Sequence, residues 1–442
     1  MNTVDQKDNI RGAGRLSLFA RTLYKALRTR LRIFAHPIRL CSELLRPLRP
    51  HVWIVTGEEK GSHLPLSICL SATTDEYKSY LLELIFGSSF RARYLGRTWL
   101  WNVFKTTPKT AGGCSMVFAE VDRRYLKLLG GGRGIVIPAW IFGEVDLPRG
   151  PVVMKRKSHL YVLRKIRQNH LEFEISRDPQ RFDDFYHNMY VAYTKERYGD
   201  TAFFSTKEVR KAQFDNGELL FVKKQGEYIS GMLIGYDGTR AHLRCVGVRD
   251  GNRDYVRDGA ISAAYEFSLR RAEEKGYRKC GLARSRSFLR DGVLRFKRNL
   301  PQTIIGASNR KLVVRVLEET HATRAFLQNN PFIFERSGEL NGLVFMSSEV
   351  PPTPQALQEI GKQHLHAGLS KLVAYFFCPG DKGSENGIEW EFPPGLSQDT
   401  SSPGYEHLSP AEATDLIKGL GCIGKTIAIA IHPDKEDCGK RN

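Results

Sequence analysis

A chain of 442 residues, 41% hydrophobic and 10% aromatic, can bury more than one core, which excludes a disordered chain. Its net charge of +19, from 67 basic and 48 acidic residues, favours a partner that carries phosphates or carboxylates. The eight cysteines form no C-x-x-C pair, so neither a zinc site nor a disulfide framework is expected; the expectation is a cytoplasmic protein with no metal. No apolar run approaches the roughly 18–20 residues that span a bilayer.

Residues 1–50 hold eleven basic and three acidic side chains. Leu16, Phe19, Leu23, Leu27, Leu31 and Phe34 recur at helical spacing, with Arg21, Lys25, Arg28, Arg30 and Arg32 between them. Residues 15–34 therefore form a helix that either lies on an anionic membrane surface, peripheral at its inner face, or packs on the rest of the chain. Residues 51–154 mix short strands with a helix at Asp75–Phe86 and end in an apolar run from Ile135 to Ile141. The glycine run 130–134 precedes a strand instead of opening a helix, so it reads as a turn and not as a phosphate loop.

Lys155–Asn169 is a basic helix whose Leu160, Leu163 and Ile166 face a core. Leu171, Phe173 and Ile175 then alternate as a strand, and Asp178-Pro179 opens a helix bearing Phe182, Phe185, Tyr186, Met189, Tyr190 and Tyr193. A second short helix starts at Ser205-Thr206. Three strands follow, Leu219–Lys224, Tyr228–Tyr236 and Thr239–Val248, joined by Gln225-Gly226 and Asp237-Gly238 turns. A long helix capped by Asp258, a strand at Tyr277–Ala283 and a short helix ending in Phe296-Lys297-Arg298 complete this run.

Residues 305–442 form a C-terminal α/β extension with a flexible loop at 378–404. Its string Gly419 to Thr426 matches G-x-x-x-x-G-K-[ST], but a helix precedes it and a strand follows, the reverse of a phosphate loop. His364 and His366 are two apart on a helix, so they do not make an i, i+4 metal pair.

The junction Val246–Ala260 (VGVRDGNRDYVRDGA) is the strongest candidate site. Amides at Gly259 and Ala260, beside Val248, Arg253 and Arg257, are placed to cradle a donor's phosphates at a helix N-terminus. Tyr255, Arg284, Arg286 and Lys297 are candidates for substrate contacts.

Strand, two helices, three antiparallel strands, helix, strand, helix is the GNAT order. Together with VLRKIRQNHLEFEI, FYHNMYVAY and AEEKGYRKCGLARS leading into GVLRFKRNLP, it makes residues 155–304 resemble the Fem-type branch of the GNAT superfamily, which includes peptidoglycan aminoacyl transferases. The resemblance implies a mixed-sheet α/β fold in a tandem pair, with residues 51–154 as a degenerate first copy. It also implies acyl or aminoacyl transfer from acyl-CoA or aminoacyl-tRNA to an amine. The family has no universal catalytic base, so none is assigned, and where it often carries an acidic residue and glycine this chain reads Gly281-Leu282-Ala283-Arg284-Ser285-Arg286. The alternative is a non-catalytic protein of the same fold that binds RNA or an anionic membrane.

Overall fold

A computed structural model describes residues 45–104, 113–129, 134–199, 202–347, 353–377, 405–407 and 426–432. The segment 15–34, most of the glycine run 130–134, the loop 378–404 and residues 419–425 lie outside the described residues. Among the described residues no helix is long and apolar enough to cross a membrane.

The described residues form a mixed α/β protein of three sheets. The first joins β1 (His51–Glu58), β2 (Pro65–Ala72), β3 (Phe90–Arg97), β4 (Met116–Asp122), β5 (Ile135–Pro138) and β13 (Arg310–Val316), in the order β3-β1-β2-β4-β13-β5. The second joins β6 (Ile141–Asp146), β7 (Leu171–Ser176), β8 (Gly217–Lys224), β9 (Glu227–Asp237), β10 (Arg240–Val248), β11 (Lys279–Ser285) and β12 (Thr303–Ala307), in the order β12-β6-β11-β10-β9-β8-β7. The third joins β14 (Phe332–Arg336), β15 (Glu339–Ser347), β16 (Leu372–Phe377), β17 (Tyr405–His407) and β18 (Thr426–Ile431), in the order β14-β15-β16-β18-β17.

The second sheet has the GNAT order. Its three central strands pair antiparallel through turns in which Gln225, Gly226 and Gly238 take positive φ, as hairpin turns require. The helical run Pro179–Asp184, Phe185–Val191 and Ala192–Tyr198 covers one face, burying Phe182, Phe185, Met189 and Tyr190. Its middle segment is a π-helix, which the apolar spacing alone does not distinguish from an α-helix. The helix Ala260–Glu274 covers the other face with Ala260, Ala263, Ala264, Phe267 and Leu269. At Gly247 a Cβ would sit 2.5 Å from the backbone of Met189 and Tyr190, so only glycine lets the π-helix Phe185–Val191 lie so close to β10.

The sheets cross the sequence boundaries at 154 and 304. The run Ile135–Ile141 is not one strand: it breaks at Ala139-Trp140, leaving β5 in the first sheet and β6 in the second. β13, from the C-terminal part of the sequence, pairs between β4 and β5. One apolar core, including Phe118, Phe326, Phe345 and Tyr375, runs through the first and third sheets. Among the described residues, those of 51–138 and 310–431 thus share one core, with the second sheet built from the residues between them. The third sheet repeats part of the second: a hairpin, a helix, a parallel strand and an antiparallel neighbour.

Candidate active site

β10 and β11 run parallel but pair only at Arg240–Lys279, Ala241–Cys280 and His242–Gly281. Beyond this point β10 bulges between Leu243 and Cys245 against β9. β11 shifts register against β6 between Gly281 and Arg284, with Ala283 at φ 58°. Both strands bend where their ladder stops, so they part. The edge of β10 that faces the gap has no strand partner beyond His242.

Side chains from the helices on the two faces of the sheet come together at Tyr265 and Tyr193. Tyr265, from the helix Ala260–Glu274, packs its ring 5.2 Å from Phe296. Burial, with Tyr193 close by, raises the Tyr265 hydroxyl above its ordinary range. Tyr193 comes from the opposite helix, and its hydroxyl accepts from Arg197 Nη1 at 2.7 Å. Arg197 also lies 5.4 Å from the ring of Tyr198. Tyr198 is 44% exposed, so this wall is open to ligand.

The end of β11 supplies two guanidiniums. Arg286 stands 3.5 Å from the Trp140 ring, 4.1 Å from Tyr80 and 5.1 Å from Tyr77. Its Nη2 lies 3.5 Å from Glu76 Oε1, while the buried Nη1 has no partner among the described residues. Arg284 lies 4.3 Å from the same tryptophan ring. Asp291 caps the helix Gly292–Arg298, its Oδ1 accepting from Val293 and Leu294 at 3.0 Å. Burial pushes its carboxyl up, against those two amides and the charges of Arg286 and Arg197.

Lys297 holds this end of β11 in place. Only 2% exposed, it donates to the carbonyls of Ala283 (3.2 Å) and Arg284 (3.1 Å) and to Ser285 Oγ (3.1 Å). These acceptors use all three donors of the ammonium. Burial lowers it to about 7, while Asp291 pulls the other way. Lys297, expected as a substrate contact, engages these three acceptors and positions β11.

The residues named at the other end of the mouth sit differently. Val248 is buried at the end of β10, and Ala260 is buried at the start of its helix. Asp258 does not cap that helix. It ends a short helix, Arg253–Arg257, and Gly259, at φ 99°, takes the cap position with no side-chain bond. Asp258 pairs instead with Lys224 at 2.7 Å, which offsets the negative charge that would repel a phosphate. Lys165 and Asn169 donate to the carbonyls of Arg257 (3.2 Å) and Asp258 (2.9 Å), so the basic linker helix Lys157–Gln168 lies over this end. Arg253 and Arg257 are exposed and pair with Glu196 and Asp254. Tyr255 is half-buried against the core below.

Beneath the linker helix a cavity of about 290 Å³ is walled by Val153, Val162, Phe296 and Leu300, with Glu266 and His159 among its polar groups. His159 is buried, its Nδ1 is 3.5 Å from Glu266 Oε2, and its Nε2 has no partner among the described residues. Phe296, which lines this cavity, also touches Tyr265, so the cavity adjoins the gap. Sequence reasoning missed Trp140, Tyr193, Arg197, Tyr198, Tyr265 and Asp291. Only the D-G-V-L cap before the last short helix carried a local signal for one of them.

No protein-family model matches this chain, and no curated protein matches it. Among solved structures it is similar in fold to L-PGS from Bacillus licheniformis, at 12% identity and a TM-score of 0.31, over 62% of this chain and 84% of that one. FemX is similar at 13% identity and a TM-score of 0.31, over 59% and 83%. A GNAT family acetyltransferase from Elizabethkingia anophelis with acetyl-CoA bound is similar at 13% identity and a TM-score of 0.19, over 33% of this chain and 98% of that one.

Proposed function

We propose that this chain transfers an acyl or aminoacyl group from a phosphate-bearing donor, acyl-CoA or aminoacyl-tRNA, to an amine. The parting of β10 from β11 supports this reading most. It leaves a strand edge free to pair with an extended donor arm, between a cavity on one face and a cationic, tyrosine-lined cleft on the other. In this reading the amine attacks the acyl carbonyl carbon, the C=O electron pair moves to oxygen, and Asp291 takes the proton of the amine. Collapse of the adduct breaks the bond to the donor's sulfur or ribose oxygen, which leaves with a proton. Holding both reactants in one gap supplies the orientation that such transfer chiefly needs.

The test is thermal stabilisation of the full chain by CoA, acyl-CoA and aminoacyl-tRNA, followed by a transfer assay with the donor that binds. Asp291→Asn keeps an N-cap acceptor and should keep donor binding while losing transfer. Stabilisation by none of the three donors would overturn the reading. Transfer by the variant at the parent rate would remove Asp291 from it.

A further inference from the structure

We propose that the outer edge of the first sheet, β3 with the Trp99–Trp101 turn, binds single-stranded RNA. β3 is the terminal strand of its sheet, so one row of its main-chain groups has no strand partner among the described residues. Its sequence, FRARYLGR, holds three arginines and no acid, and Phe90, Arg91, Arg93, Tyr94, Leu95 and Arg97 are all exposed. The side chains of Arg91 and Arg93 have neither an ion pair nor a hydrogen bond among the described residues.

Aromatic rings alternate with these cations. Trp99 and Trp101 stack at 4.8 Å with an interplanar angle of 8°, and Arg49 lies 5.1 Å from the Trp99 ring. Tyr94 stands 5.5 Å from Trp53, whose ring Lys78 approaches at 4.6 Å. Tyr94 and Arg97 are also both bonded to His51. Ring faces that accept bases, interleaved with cations that accept phosphates, suit a single strand read without sequence preference. An eight-residue strand spans about 26 Å, room for on the order of four nucleotides.

A lipid surface fits less well. Hydrocarbon leaves the free edge of β3 unsatisfied, whereas phosphates and ribose hydroxyls can pair with it. The helix Asp75–Phe86 links this face to the cleft, since its Lys78 meets Trp53 while its Glu76, Tyr77 and Tyr80 surround Arg286. The proposal does not depend on transfer taking place.

The experiment is fluorescence anisotropy with a fluorescein-labelled twelve-nucleotide single-stranded RNA and the full chain, at several salt concentrations. An Arg91→Ala, Arg93→Ala double variant touches only exposed side chains. It should weaken binding about tenfold at low salt and lower the log–log salt slope by roughly 1.4. A Trp99→Ala, Trp101→Ala variant should weaken binding about tenfold, and Trp101→Phe should restore part of it. Because parent and variants share every other basic segment, RNA bound elsewhere cancels in the comparison. Equal affinity of parent and both double variants would overturn the proposal. So would loss of binding to phosphatidylglycerol vesicles in these variants with RNA binding unchanged, which would assign the face to a membrane.

Discussion

Two parallel crossovers of one design, hairpin then helix then strand, stand among the described residues, in the second and third sheets, and they differ in how far their strands stay paired. In the third sheet β15 and β16 stay paired through six residues, from Gly342–Leu372 to Ser347–Phe377. In the second sheet β10 and β11 separate after three. The side chains explain the difference. β16 reads Leu-Val-Ala-Tyr-Phe-Phe, every residue buried, so both faces of the strand are clamped by core. β11 reads Lys-Cys-Gly-Leu-Ala-Arg-Ser, with Ala283 and Arg284 exposed, and nothing apolar holds its end against β10. The helices differ in the same sense. Pro354–His364 is capped by Thr353, whose Oγ1 accepts from Ala356, whereas Ala260–Glu274 starts at Gly259 with no side-chain cap. A closed crossover is a piece of core, and an open one leaves backbone for a ligand.

The largest effect should come from the ion cluster that anchors the open crossover. Arg149, 3% exposed, bonds Glu266 at 2.6 Å and Glu273 at 2.9 Å on the helix Ala260–Glu274. Arg149→Ala should cost roughly 3–5 kcal/mol, because it strands buried carboxylates, as urea denaturation would measure. A loss under about 1 kcal/mol would mean that water already reaches them.

Next comes a matched pair of glycines. Gly247→Ala drives a Cβ into the backbone of Met189 and Tyr190, whereas Gly342→Ala meets the Cδ1 of Leu372 at 2.6 Å, a side-chain end that can rotate away. The first should cost about 2–3 kcal/mol and the second about 1 or less. Equal losses in urea melts would break the claim that the open crossover is the more tightly constrained on its helix-covered face.

The contact between the two crossovers should respond to pH. His364 and His366 are buried, and burial, with Arg298 nearby, holds both rings down to about 4. The unfolded chain binds their protons from about pH 6.5. Stability should therefore be complete above pH 6.5 and fall as the pH drops toward 4, by at most about 1.4 kcal/mol per pH unit for each ring. In His364→Gln, His366→Gln this slope should flatten; an unchanged slope would place the acid sensitivity elsewhere.

The smallest effect is expected at the exposed loop. Arg253→Ala, Arg257→Ala removes two solvated pairs and should leave the melting temperature unchanged. Donor binding should weaken, more at low salt than at high salt. Unchanged binding of the identified donor would move its phosphates toward Arg284 and Arg286.

What the sequence determined by itself is local. Gly226 and Gly238 select tight turns because few other residues accept positive φ, and the alternating runs beside them then have to form hairpins. Asp178-Pro179 and the aromatic stripe after it start a helix with one buried face wherever it packs. Arg284, Arg286 and Lys297 were legible as basic residues near a strand end, but their roles were not. That Arg286 stands among Trp140, Tyr77 and Tyr80 depends on elements more than a hundred residues apart, and that Lys297 gives its donors to β11 depends on a helix folding back onto the strand before it. Only tertiary structure decided that Ile135–Ile141 divides between two sheets, that β13 closes the first of them, and that β10 and β11 part. Each is a competition between packing partners distant in sequence, and local propensity carries no information about which partner wins.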